Sequence, residues 1–237
     1  DVFIVGSFEA AAVFGATTLT SAGGGDAFVA RVDTQGNIVW ATSAGGAGED
    51  RAVGIYGTTI LITVVGEFNG TAAFGGATGG TNLALTSAGG QDVFGWAVRE
   101  AQGGFYNAIG IGGAGDETAA TVASSADTFP VVLAGSFTGT MLVTNANLQA
   151  ITLVSDGGTD GFVATWSPFG PRVFSATKIG GPDDDAVQAT AIGAGRMSLA
   201  GRFGSSATVY YETFGVVRPG PQTFTNSSAR GRDVVYV

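Results

Sequence analysis

Three short acidic turns hold most of the side chains that could do chemistry. Glu49 and Asp50 close the stretch GGAGED (45–50), Asp116 and Glu117 close GGAGDE (112–117), and Asp183, Asp184 and Asp185 close GGPDDD (180–185). Carboxylates beside loop carbonyls suit Ca²⁺, which takes roughly six to eight oxygen ligands. None of the turns has the alternating acidic spacing of an EF-hand loop. Paired acids can also divide acid and base work in glycoside hydrolysis. The third reading is structural, with a turn aspartate accepting hydrogen bonds from nearby backbone N–H groups. Catalysis needs a residue once per site, whereas a folding device recurs once per repeat.

A second acidic series opens the strands at Asp26, Asp92, Asp160 and Asp233. Each follows a glycine-rich turn, and hydrogen bonding to that turn is the expected role. The chain has no His and no Cys, which excludes Ser-His-Asp and Cys-His constellations and His-based zinc sites. Segments such as GGAG and SAGGG lack the Lys-Ser/Thr and the helix that a phosphate-binding loop requires. One insertion has no counterpart elsewhere. It carries Tyr210, Tyr211, Phe214 and Arg218, which suit either a partner contact or an internal cover over the outer strands.

The elements that position these residues repeat. The acidic turns start 67 and 68 residues apart. LTSAGGGDAFVARV (19–32), LTSAGGQDVFGWAV (85–98) and LVSDGGTDGFVATW (153–166) keep the same beat, as does Gly-x-Phe at Gly6, Gly66, Gly135 and Gly201. Within the second repeat, 51–58, 60–68, 92–100 and 104–113 read as four strands, with a variable loop between the second and third. No window carries a helical stripe. The expected fold is all-β: a β-propeller-like array of four-stranded antiparallel blades of about 67 residues, roughly four blades in one domain (1–46, 47–113, 114–181, 182–237). Small residues (Ala52, Gly54, Ala119, Ala120, Ala186, Ala189) mark the innermost strand. Phe28, Trp40, Phe94, Trp96, Phe105, Phe162, Trp166 and Phe174 are expected to fill the space between blades.

The terminal blades are incomplete. The first has its second, third and fourth strands, the last its first, second and third, giving fourteen strands in all. These ends overlap rather than complement each other. A segment of a longer propeller, an open arc packing on copies or partners, and a distorted four-bladed ring all remain open.

GSF (6–8), LTSAGGGDAFVARVDTQGNIVWA (19–41) and GGAGEDRA (45–52) resemble the bacterial SBBP repeat, a β-propeller repeat. The similarity spans nearly the whole chain and is strongest over 6–68. It departs at Pro168-Phe169-Gly170-Pro171 in the third repeat and at the insertion around 210–226 in the fourth. The resemblance implies a propeller-like fold in a secreted or surface-exposed bacterial protein, and no particular activity.

Composition narrows the partners. A net charge of −9, with Lys178 the one lysine, repels phosphate backbones and excludes nucleic acid. The most apolar run, Ile60 to Val65, is too short to span a bilayer. Asp1 in place of Met fits a processed chain or a fragment. The expected function is therefore a non-enzymatic structural or protein-interaction module of a larger extracellular or periplasmic bacterial assembly, with other subunits or further copies as partners. The alternative is a glycan-binding propeller with Ca²⁺ in the acidic rim turns.

Overall fold

Runs of Val, Ile, Thr and Phe broken by Gly, Ser and Asn favour pleated, half-buried ladders over helices. The structure, a computed structural model, describes residues 1–76, 83–124, 130–144, 148–170, 172–193, 196–204, 206–209, 222–225 and 233–236. All regular structure among them is strand. In chain order these are β1 (Val2–Phe8), β2 (Ala11–Phe14), β3 (Thr17–Thr20), β4 (Asp26–Val32), β5 (Ile38–Gly46) and β6 (Arg51–Gly57). Next come β7 (Leu61–Phe74), β8 (Leu83–Arg99), β9 (Phe105–Gly113), β10 (Glu117–Ala123), β11 (Val131–Thr144) and β12 (Ala150–Ser167). The last are β13 (Arg172–Gly180), β14 (Ala186–Gly193), β15 (Arg196–Phe203), β16 (Ser206–Val209), β17 (Gln222–Thr225) and β18 (Asp233–Tyr236).

Antiparallel meanders recur along the chain. The second is β6–β7–β8–β9 and the third β10–β11–β12–β13. The first comprises β1, β4 and β5, and the fourth β14, β15 and β18. Among the described residues no backbone pairing joins the fourth meander to the first.

The expectation of fourteen strands with a variable mid-repeat loop is corrected here. Eighteen strands are described, because that loop is a hairpin. β7 runs on past Phe68, and β8 begins well before Asp92; β11 and β12 behave alike. In the first and fourth repeats the hairpin is made by separate strands, β2–β3 and β16–β17. A bulge at Gly70 (φ 71°) and Gly139 (φ 64°) bends each long strand and lets it continue. The extension then pairs with the last strand of the preceding meander: Gly46 with Ala72, Gly113 with Met141, Gly180 with Thr208. Peptide groups that a loop would leave to solvent are thereby paired.

Alternation along the strands gives each meander two apolar faces. Val29, Trp40 and Ala44 of the first pack on Ile62, Val64 and Trp96 of the second. The opposite face of the second, with Val65, Val93 and Ile111, packs on Leu133, Phe162 and Trp166 of the third. Val132, Ala134 and Val163 then meet Val187 and Leu199 of the fourth. Of the expected fillers, Trp40, Phe94, Trp96, Phe162 and Trp166 are buried, while Phe28 and Phe105 are half-buried. Phe174 is instead exposed. A register shift opposite Thr165 and Trp166 turns Val173 inward and sends its neighbour to the other side. Of the small first-strand residues, Ala52 and Ala119 are buried, whereas Ala189 is exposed.

Ala10 stands at the bulge position held by Gly70 and Gly139, and it too is left-handed (φ 54°). An L-residue there costs roughly 1–2 kcal/mol that glycine avoids, offset by glycine's larger unfolded entropy. Ala10→Gly is expected to stabilise the chain by about 0.5–1 kcal/mol. Urea unfolding of the two proteins checks this; an unchanged or lowered midpoint contradicts it.

Candidate functional site

The acidic turns and the strand-opening aspartates meet at the joints between meanders. Asp26, Asp92 and Asp160 each accept the backbone N–H four residues earlier, from Ala22 (3.0 Å), Ala88 (3.0 Å) and Asp156 (2.8 Å). The final acid of each turn repeats that geometry. Asp50 accepts Gly46 N–H (2.7 Å), Glu117 accepts Gly113 N–H (3.0 Å) and Asp185 accepts Gly181 N–H (2.7 Å). Two of them also reach the next meander, Asp50 through Asn69 N–H and Asp185 through Gly204 N–H.

These two series form buried carboxyl pairs: Asp26 with Asp50, Asp92 with Glu117, Asp160 with Asp185. All six side chains are at least nine-tenths buried. At the second joint burial raises Asp92 and Glu117 together, a pairing that favours one shared proton over two charges. Asp92 Oδ1, Glu117 Oε1 and, at the third joint, Asp160 Oδ1 are buried without a hydrogen-bond donor among the described residues. Burial is the main cause of the raised pKa values. It lifts Asp50 and Asp185 to about 6 and Glu117 to about 8, and the neighbouring acid pushes each in the same direction. At the third joint the Lys178 ammonium lies 3.8 Å from Asp160.

The remaining turn acids stay exposed and clamp the neighbouring loop. Glu49 accepts Gly25 N–H, Asp116 accepts Gln91 N–H and Asp184 accepts Thr159 N–H, at 3.0–3.1 Å. Asp183 is exposed at the same rim. The glycine pairs follow from this crowding. A Cβ on Gly45, Gly112 or Gly180 would strike the carboxyl of Asp26, Asp92 or Asp160. One on Gly46, Gly113 or Gly181 would strike the carbonyl of Thr71, Thr140 or Ser206.

Among the described residues, no group of three or more acids is arranged to hold a metal ion. The candidate ligands Glu49, Asp50, Asp116, Glu117, Asp184 and Asp185 are each taken up by backbone N–H donors of their own joint. Tyr210, Tyr211, Phe214 and Arg218 lie outside the described residues. Sequence reasoning misses Glu67, which is buried, accepts Ala119 N–H of the third meander (3.0 Å) and pairs with Arg51. Its equivalents are Ser7, Ser136 and Arg202, so no repeat marks it. The recurring interval of 24 or 25 residues between paired acids was the signal for the joints.

Comparison with protein-family models and with curated proteins found no match. Among the described residues, no helix is long and apolar enough to cross a membrane.

The raised carboxyl groups tie stability to pH. Between the unfolded and folded pKa values the native chain binds more protons than the unfolded one, so stability falls as pH rises. The contribution is complete below about pH 4, and is lost through about 6 for Asp50 and Asp185 and about 8 for Glu117. The melting temperature is therefore expected to decline from pH 4 to 8, and Glu117→Gln to flatten the part above pH 6. A melting temperature that climbs over this range contradicts the assignment. Independently, Gly112→Ala forces a methyl into the Asp92 carboxyl, with an expected loss of about 1–3 kcal/mol in chemical unfolding.

Proposed function

We propose that the chain is a β-propeller-type module built from SBBP-like repeats. It serves as a non-enzymatic structural or protein-interaction part of a larger extracellular or periplasmic bacterial assembly. The observation that carries this reading is the use made of the carboxylates. The residues best suited to chemistry are spent three times over on joining one meander to the next, through the same backbone donors at every joint. Carboxyls committed to folding in this way are poor general acids and bases for a substrate, because their lone pairs already face the protein's own N–H groups.

Support for assembly comes from exposed apolar side chains on the mid-repeat hairpins. Val13 of the first repeat and Leu142 and Val154 of the third are exposed there. Exposed apolar surface favours association. Sedimentation velocity of the isolated chain tests this, with concentration-dependent larger species expected. A compact monomer that stays soluble at every concentration overturns the assembly reading.

One observation favours glycan binding instead. A hollow of about 490 Å³ is lined by Thr17, Thr20, Thr42, Ser43 and Asp26 among alanines and glycines. Threonine, serine and aspartate side chains can hydrogen-bond sugars, and Ca²⁺ at the rim turns would belong to that reading. A blank glycan array, together with a melting temperature unmoved by chelator, removes it.

A further inference from the structure

Lys178 is the one lysine of the chain, and it stands where the other repeats keep a small residue. It pairs with Phe162 across β12 and β13. The second meander sets Gly110 opposite Phe94 at this position, and the first sets Ser43 opposite Phe28. Asp160 precedes Phe162 by two residues on β12, so it lies on the same face of the sheet and is a diagonal neighbour within reach of a long side chain. That face is apolar. Phe162 and Asp160 are fully buried, and the Lys178 side chain is 13% exposed. The lysine therefore brings an amine to a buried carboxyl on the adjacent strand.

The contacts of the two groups fit an amide between them. Lys178 Nζ lies 3.8 Å from Asp160 Oδ2 and donates to the Val154 carbonyl (2.9 Å). Asp160 Oδ2 accepts Asp156 N–H (2.8 Å), whereas Oδ1 has no donor among the described residues. Asp156 Oδ2 lies 2.6 Å from Nζ. Burial holds Asp160 above the usual carboxylate range and so favours its neutral acid, the form open to attack. Holding a nucleophile beside its electrophile removes most of the entropic barrier to reaction.

We propose that Lys178 and Asp160 join in an intramolecular isopeptide bond that cross-links β12 to β13. Asp156 takes a proton from the ammonium, and the freed Nζ lone pair attacks Asp160 Cγ. The Nζ–Cγ bond forms and the Cγ–Oδ1 bond breaks. Over the whole step the ammonium gives up two protons and the carboxylate oxygen takes both, so one water leaves and nothing else is consumed. Asp185, the second buried acid of this joint, is the neighbour that passes a proton to the departing oxygen. Oδ2 stays as the amide carbonyl and keeps Asp156 N–H, and the remaining Nζ–H keeps the Val154 carbonyl. What is lost is the ion pair to Asp156, which is 55% exposed and contributes little. The product is a covalent staple in a chain without cysteine, and it is independent of the assembly reading.

Intact-mass measurement of the purified folded chain tests this. The expected mass is one water below that of the sequence. Lys178→Ser, which installs the residue of the first repeat, and Asp160→Ala are each expected to show their full sequence mass. Trypsin acting on the unfolded chain is expected to spare the bond after Lys178 and to release one branched peptide, 100–172 joined to 173–196. A chain of full sequence mass overturns the inference, as does ordinary cleavage after Lys178. So does a water loss that persists in Lys178→Ser, which would be cyclisation at Asp156–Gly157 or Asp160–Gly161.

Discussion

A carboxyl group buried between two sheets is the constraint from which the rest follows. Taking such a group out of water is costly unless its lone pairs find donors and its charge is suppressed. Each joint supplies backbone donors and a raised carboxyl pKa, and Asp92 Oδ1, Glu117 Oε1 and Asp160 Oδ1 are left without a donor among the described residues. The final acid of the turn curls back onto the N–H four residues earlier, and a second acid from the adjoining meander shares its surroundings. The backbone has to approach closely for this geometry, and close approach leaves no space for a Cβ. Two consecutive glycines at every joint are the direct result.

The same crowding explains the strands. The last strand of one meander, the acidic turn and the first strand of the next all lie along one long strand and its extension. That strand must therefore change direction once, at a bulge, and glycine takes the bulge wherever the sequence supplies it. Hydrophobic packing of one meander on the next supplies most of the area removed from water, with Trp96, Trp166, Phe94 and Phe162 fully enclosed. The carboxyl joints supply register. A one-residue slip along the long strand would place a carboxyl against apolar side chains and a Cβ against the carbonyl that glycine clears.

Much of this was legible beforehand, and the parts that were not share a cause. The glycine–acid turns, the strand-opening aspartates and the four strands of the second repeat announce themselves because identical demands recur at a fixed interval. The mid-repeat hairpin did not. Its residues vary, since its partner is backbone, and backbone pairing imposes little on side-chain identity. Phe174 reads as a filler by composition, yet a register shift near Trp166 turns it to solvent. Glu67 carries a buried bridge between meanders and leaves no trace in the pattern, because each repeat solves that position differently. Ala10 looks like an ordinary loop alanine, and its left-handed backbone shows only against Gly70 and Gly139.

The sequence alone determined that the chain is all-β, built from a unit of some 67 residues, without the His and Cys on which many catalytic sites rely. It could do so because periodicity and residue type are local properties. Tertiary structure decided which acids become partners. Asp92 and Glu117 lie 25 residues apart with a strand pair between them, and only the stacking of two meanders brings their carboxyls together and excludes water. That desolvation belongs to the assembled joint. No list of residues, however regular, contains it.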